Sequence, residues 1–539
     1  MELTLKGLQD TVSWREARVA LPPYDMAALI ERTRREPLWV HFGIGNIFRV
    51  FVGGIADKLI REGVMDRGLT CVETFDFDVV DRIYDPYDNL VLSVTLNADG
   101  TTDRRVLGAL TEAVKARSGD ADAWARLRQI FASPSLQMIS FTITEKGYAL
   151  RGTDGAYLGY VRADLENGPE RVTGAMGVVT AMLLARFNAG RLPLALVSMD
   201  NVSRNGEKLR ASVLETARVW VEKGFAEPAF LDYVSDEQVV SFPWTMIDKI
   251  TPRPSEDVAK ALEADGIAGM RPVVTSKHTY IAPFVNAEGP QYLVVEDNFP
   301  NGRPPLERAG VYMADRETVN RSERMKVTAC LNPIHTALAP YDVMLGHDLF
   351  ADGMRDPELA ALARLVGYGE GLPVVEDPGI LSPKAFIDEV IEERFPNAYL
   401  GDTSQRICVD ISQGVAFRFG ETVKAYVARE GSAAKLTGIP LAIAGWLRYL
   451  LAVDDSGAPC AIAPDPLADE LRGQLAGIEV GRPESLSDQL RPILSNVNIF
   501  GVDLYEAGLG EKIEGLLREE LAGFGAVRRT LQKYLTNEP

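Results

Sequence analysis

The chain has 539 residues, too many for a single hydrophobic core, so two or more domains are expected. Its composition, 46% apolar and 25% charged, is that of a globular protein, and no apolar run reaches the ~18 residues of a membrane span. The net charge of −19 argues against nucleic acid as a partner but leaves room for a locally basic pocket that takes an anion.

The opening stretch, MELTLKGLQDTVSWREARVA, is charged early and has no apolar centre, so no secretory signal is expected. Residues 38–43, LWVHFG, have the apolar and β-branched content of a buried strand. GIGN follows, then IFRVFVGGIADKLIREGV with helical spacing, then the strand GLTCVET, which ends in an acid. Strand, glycine turn, helix and strand in that order open a nucleotide-binding α/β unit. A β-rich excursion through LVLSVTL and TTDRRVLGAL turns at NADG. LQMISFTIT is a further strand, followed by EKGY. The helix VTGAMGVVTAMLLARFNAG ends at Gly190, a C-terminal cap. LPLALVSM is a strand that runs into the polar loop DNVSRNG. Strands alternate with helices up to about residue 300, which predicts a mostly parallel sheet.

The Pro/Gly-rich segment EDNFPNGRPPLERAG marks the expected domain boundary. The division is therefore placed at 1–300, a Rossmann-type dinucleotide-binding domain of α/β class, and 301–539, a mainly α-helical substrate and catalytic domain. The helical segments of the second part include PELAALARLVGYG, SPKAFIDEVIEERF and PLAIAGWLRYLLAV. Cys71, Cys330, Cys408 and Cys460 are far apart and read as the reduced thiols of a cytoplasmic protein. No CxxC, HExxH or His/Cys cluster occurs, so no metal is expected.

Gly43-x-Gly45 lies where a strand hands over to a helix, and glycine there lets a pyrophosphate approach backbone N–H groups. Phe48 stands where the usual fingerprint has a third glycine. A plain strand–turn–helix fits this segment equally well. Glu73, at the end of the second strand, is placed to bond a ribose 2′-hydroxyl and to repel a 2′-phosphate, which favours NAD over NADP; a solvated loop acid is the other reading, and Asp76 competes for the role. TEKGY reads mainly as a turn. Asn201 of Asp200-Asn201 ends a strand on the ligand-binding side, as an amide donor or as an Asx turn.

In MKVTACLNPIH, Lys326 has the chemistry of a general base if desolvation or a neighbouring cation lowers its pKa. Glu323 lies one turn earlier and is placed to relay a proton, although a solvated surface pair is the common meaning of that spacing. Asn332-Pro333 also reads as an N-cap with proline in the first turn, and His335 as a core histidine.

Taken together and in order, HFGIGNIFR, TITEKGY, SMDNVSRNG, MIDKITP, VEDNFPNGRPPLERAGV, ERMKVTACLNPIHTAL, RFPNAYLGDTSQR and GWLRYL resemble the long-chain polyol dehydrogenase family, which includes mannitol 2-dehydrogenase and the hexuronate reductases. The matches span roughly residues 38–450. The resemblance implies an NAD-dependent, metal-independent oxidation of a secondary alcohol. By that resemblance Lys326 is the general acid/base, Asn201 and Asn332 polarise the reacting oxygen, His335 orients the substrate, and Glu323 is the glutamate near the lysine. The glycine turn, with Gly43, Gly45, Asn46, Ile47 and Arg49, then belongs to the cofactor, as do Glu73 and Asp248. Arg394 matches a substrate-binding arginine, and Arg394 with Arg406 has the chemistry to pair a sugar-acid carboxylate. D-Mannonate with D-fructuronate is the leading substrate pair. Tagaturonate with altronate and mannitol with fructose remain open, as do a non-redox NAD-using epimerase and a catalytically silent NAD-binding protein. The expected partner is a small sugar acid or polyol, with no membrane or nucleic acid; monomer and small homo-oligomer are both open.

One departure stands out. The steps from Lys326 to Asn332 and to His335 are each one residue longer than is usual in that family. At about 100° per residue, the usual steps put histidine roughly 80° and asparagine roughly 140° from lysine. The steps found here give roughly 180° and 240° on an ideal helix. Pro333 lacks an N–H and clashes with the carbonyl four residues back. A π-bulge or break between Thr328 and Pro333 is therefore expected.

Overall fold

The computed structural model describes residues 1–535, and the chain divides into two compact units. The first comprises Met1–Asn97 with Thr101–Asn320, and the second Ala98–Gly100 with Arg321–Pro539.

The first unit is built on a six-stranded sheet of β1 (Trp39–Phe42), β2 (Leu69–Glu73), β3 (Leu110–Lys115), β4 (Met138–Phe141), β5 (Leu194–Ser198) and β6 (Val240–Ser241). Every pairing is parallel, and the spatial order is β3-β2-β1-β4-β5-β6. This is the doubly wound dinucleotide-binding order, whose ligands lie outside the carboxyl ends of the strands. Alternate residues feed two cores. Trp39, Leu69, Cys71, Met138, Ala195 and Val197 face one layer, while Val40, Phe42, Val72, Ile139, Leu194 and Leu196 face the other. Burial on both faces explains why these strands read as continuous apolar runs.

The β-rich excursion contributes Val91–Leu96 and Thr102–Leu107 to a separate four-stranded sheet with Val19–Ala20 and Phe284–Ala287. A third sheet pairs Thr245–Asp248 antiparallel with Tyr292–Glu296, which in turn runs parallel to Tyr312–Ala314. That last strand explains why the break expected at residue 300 falls later. Residues just beyond 300 stay with the first unit, where the Asn301 amide donates to the Pro134 carbonyl at 3.1 Å and the Leu136 carbonyl at 2.6 Å.

The second unit is helical among its described residues, as the sequence predicts. Its buried centre is Asn332–Met344 beside Gly438–Tyr449, a helix whose every residue is buried. Several of its helices contain π turns, at Lys326–Cys330, Leu365–Gly371, Val390–Arg394 and Ala416–Gly420. Such turns are rare and gather at functional positions.

Candidate active site

The glycine turn follows β1. Gly43 takes a φ of +87° and donates its amide to the Val72 carbonyl at 3.0 Å. A Cβ at Gly43 would overlap the Thr142 carbonyl, whereas one at Gly45 would meet nothing within 4 Å. Gly43 is thus required by the fold, and Gly45 leaves open space at the start of a helix whose first bond runs from the Arg49 amide to the Gly45 carbonyl, 3.2 Å. The Asn46 Oδ1 in that turn is buried without a hydrogen-bond partner, and Ile47 packs at the edge of the core. An open glycine and unsatisfied N–H groups at a helix start fit the pyrophosphate of a dinucleotide.

The Glu73 carboxylate organises the loop beside this turn. Its Oε1 accepts from the amides of Thr74, Phe75 and Asp76 at 2.9, 2.8 and 3.2 Å, and its Oε2 from that of Ile44 at 3.5 Å. Burial raises the pKa of this carboxyl, and the backbone donors oppose that shift. The sequence places Glu73 correctly at the end of β2 but does not reveal these loop contacts. The competing Asp76 accepts from the hydroxyls of Thr275 and Thr279 through its Oδ2 at 2.7 and 2.5 Å, while its Oδ1 is buried without a partner.

The expectation for Arg49 is corrected. Its side chain is fully buried, and its guanidinium donates to the carbonyls of Ala282 and Pro283 at 2.7 and 2.8 Å. Burial pushes its pKa down to about 10. Arg49 ties the helix to the 282–283 segment, and no part of it is exposed to a ligand.

Asn201 lies just beyond β5 and is exposed. The segment that carries it is held by a buried polar network. The Asp200 carboxylate accepts from the amides of Ile143 and Thr144, both at 2.9 Å, and from the Tyr148 hydroxyl at 2.6 Å. Thr144 has a φ of +63°, a strained conformation for a β-branched residue. The adjoining Thr142 hydroxyl donates to the Gly43 carbonyl at 2.8 Å, which links this loop to the glycine turn. On the other side, the Asn205 amide donates to the Asp200 carbonyl at 3.0 Å and to the Thr245 hydroxyl at 2.8 Å. Thr245 begins the strand that ends at Asp248, which is buried. One network therefore joins the segments carrying Gly43, Asn201 and Asp248. The sequence offered Tyr148 and Asp200 only as parts of turns, because their partnership depends on β4 and β5 being neighbours.

In the second unit the expected irregularity is present. A π turn covers Lys326–Cys330, Leu331 breaks with φ −134° and ψ −67°, and a new helix starts at Asn332 with Pro333 in its first turn. Lys326 is only 2% exposed, which removes the reading of a solvated surface pair. Glu323, one turn before it, is half-buried. Asn332 does not cap the helix, because its Oδ1 is buried and accepts no hydrogen bond.

His335 stacks on Phe395, with ring centroids 5.1 Å apart, and meets Phe350 edge-on at 4.7 Å. Burial pushes the imidazole pKa down to about 3; the Asp402 carboxylate opposes this, and the guanidinium groups of Arg406, Arg418 and Arg394 reinforce it. His335 is therefore neutral at physiological pH, with one ring nitrogen to donate and one to accept. Arg394 ends a π turn and is 4% exposed. Arg406 is 64% exposed, and its fork is filled by Asp402 through two bonds of 2.6 Å. The expected substrate contact from Arg406 is not supported, because its planar donors already hold a carboxylate of the protein.

The mannitol dehydrogenase Rossmann domain matches residues 38–308, and the mannitol dehydrogenase C-terminal domain matches residues 318–518. The chain belongs to the mannitol dehydrogenase family. Within the family it is 49% identical to the D-mannonate oxidoreductase of Thermotoga maritima, with all of both chains covered. A solved D-sorbitol dehydrogenase is similar at 25% identity and a TM-score of 0.78, covering 97% of this chain and 99% of that one. Pseudomonas fluorescens mannitol 2-dehydrogenase, solved with NAD and D-mannitol, is 26% identical over the whole of both chains at a TM-score of 0.70.

Proposed function

We infer that the chain is an NAD-dependent oxidoreductase that interconverts a sugar acid and its keto form, D-mannonate and D-fructuronate. The observation that carries this reading is the buried Lys326 on its π turn, followed by Asn332 and the neutral His335 on the next helix. The full-length similarity to a D-mannonate oxidoreductase supports the substrate pair over mannitol and fructose.

The proposed roles follow from the chemistry of an alcohol losing a proton and a hydride. Lys326 takes the hydroxyl proton and returns it in the reverse direction. The amides of Asn201 and Asn332 donate to the oxygen as negative charge develops on it. The Asn332 Oδ1 is buried and accepts no hydrogen bond from the protein. His335, held between two phenyl rings, directs a hydroxyl of the substrate by hydrogen bonding without competing for the proton. Glu323 passes the proton on towards solvent. Gly43, Gly45, Asn46 and Ile47 form the turn that receives the dinucleotide, with Glu73 on the ribose side and Asp248 at the end of its strand. When bound, NAD accepts the hydride. Among the described residues no helix is long and apolar enough to cross a membrane, and all four cysteines are free thiols, which supports a cytoplasmic setting.

The test is NADH absorbance on D-mannonate, D-altronate, D-mannitol and D-arabitol. Turnover is expected to be fastest with D-mannonate. Preference for mannitol would remove the sugar-acid reading, and absence of any net NADH would remove the oxidoreductase reading.

A further inference from the structure

The second unit holds a guanidinium that sequence reasoning did not single out. Arg418 lies on the π turn Ala416–Gly420 and is largely withdrawn from solvent. Its Nη1 donates to the Thr336 hydroxyl at 2.8 Å. Thr336 is the residue after His335, is 2% exposed, and sits on the same helix as Asn332. The charge of Arg418 is felt at the His335 ring.

Two features set this arginine apart. The first is its partnership. Among the described residues Arg418 makes no ion pair, and its one hydrogen bond is to a neutral hydroxyl. Arg406, by contrast, is exposed and filled by Asp402. Burial lowers the pKa of Arg418, with only Asp410 acting against that shift. A desolvated cation without an anion is costly, and the cost is relieved when an anion arrives.

The second feature is the room made for it. Gly414, one turn earlier, lies directly against the guanidinium: a Cβ there would stand 2.5 Å from Nε and 2.6 Å from Cζ. Glycine leaves room for the group along its own helix, where Thr336 holds Nη1. A planar, fixed fork of donors matches a carboxylate bidentately.

We propose that Arg418, rather than Arg406, receives the carboxylate of the sugar acid and so sets the preference of this enzyme for an acid over a neutral polyol. This rests on the reading of the chain as a sugar-acid oxidoreductase. On that reading Thr336 and Gly414 are positioning residues: one pins Nη1 and the other leaves space for Nε and Cζ.

The experiment compares Arg418→Gln and Arg418→Lys with the unaltered enzyme, reducing D-fructuronate or D-fructose with NADH. For Arg418→Gln, KM for D-fructuronate should rise about 10- to 100-fold, the loss of a charge-assisted bidentate pair. Its kcat should stay within about threefold, with NADH affinity unchanged and the melting temperature equal or higher because a desolvated cation is removed, and the ratio of kcat/KM for fructuronate over fructose should fall by the same factor. Arg418→Lys keeps the charge and loses the fork, so its KM should be intermediate; it decides the matter if the glutamine variant fails to fold. An unchanged KM in either folded variant, or equal losses on both substrates, overturns the proposal. An unaltered enzyme that prefers fructose to fructuronate overturns the sugar-acid reading instead, and the proposal with it.

Discussion

The amide of Leu331 donates to the carbonyl of Lys326, five residues back, at 3.1 Å. That bond closes the π turn and takes one residue out of the helical count. Counted that way, Asn332 and His335 follow Lys326 as they would in a helix one residue shorter. Lys326→Ala should therefore lose about 100- to 10,000-fold in kcat, as removal of a general base does. NADH binding, followed by quenching of protein fluorescence, should be retained. Turnover near that of the parent would remove Lys326 from the mechanism.

The two glycines of the turn should separate in their behaviour. Gly43→Ala forces a side chain into a left-handed backbone and onto the Thr142 carbonyl, so its melting temperature should drop, with a backbone cost of roughly 1–2 kcal/mol even before the clash. Gly45→Ala meets no protein atom, so stability should hold within about 0.5 kcal/mol. Its NADH dissociation constant should nonetheless rise about tenfold or more if, as proposed, this turn receives the phosphates, because the new methyl would stand in their way. Equal NADH affinity in Gly45→Ala and the parent would move the cofactor away from this turn.

The Asp200 network predicts a loss of rate without a comparable loss of binding. Asp200→Asn replaces a carboxylate that accepts from the Ile143 and Thr144 amides and the Tyr148 hydroxyl with a group that has only one accepting oxygen. The strained Thr144 turn should relax and Asn201 should shift. A fall of about 10- to 100-fold in kcat is expected, the scale of a misplacement of about 1 Å. Tyr148→Phe, which removes one bond of the set, should fall less. Stopped-flow hydride transfer at the parental rate in Asp200→Asn would contradict this account.

A buried acid away from the site gives a pH prediction. Glu520 is fully buried and accepts from the Tyr341 hydroxyl at 2.6 Å, and burial pushes its pKa up from 4.5 to about 8. Between those values the folded chain holds a proton that the unfolded chain has released. Stability from this group is present at low pH and is lost as pH rises towards about 8. Glu520→Gln, which resembles the protonated acid, should flatten that part of the stability profile and be more stable than the parent at pH ~9. Parallel melting-temperature profiles for the two proteins between pH ~5 and ~9 would show that Glu520 does not titrate there.

The parallel sheet was legible because each strand is buried on both faces and reads as an apolar run between turns. The glycine turn and the acid ending β2 were legible for the same reason. Local chemistry also announced the irregular helix, since Pro333 has no amide to offer. What the sequence does not disclose depends on side-chain contacts, between distant segments for Arg49 and Arg418 and within one turn for Arg406. Arg49 looks like a cofactor ligand until the carbonyls of residues 282–283 are found taking its donors. Arg406 looks available until Asp402, one turn before it, is found filling its fork. Arg418 drew no attention because nothing in QGVAFRFG tells that its helix contains a π turn or that Thr336 lies alongside. The boundary expected near residue 300 falls instead after Asn320, because the Pro/Gly-rich segment leads to one more strand of the first unit.

The π turn at Lys326 also bears on how such enzymes are found by pattern. A search that fixes the number of residues between lysine, asparagine and histidine would pass over this chain. The helix can hide an insertion of one residue while keeping the same side chains in play. A template that lets those intervals stretch by one residue, and requires proline directly after the asparagine, would retain this chain.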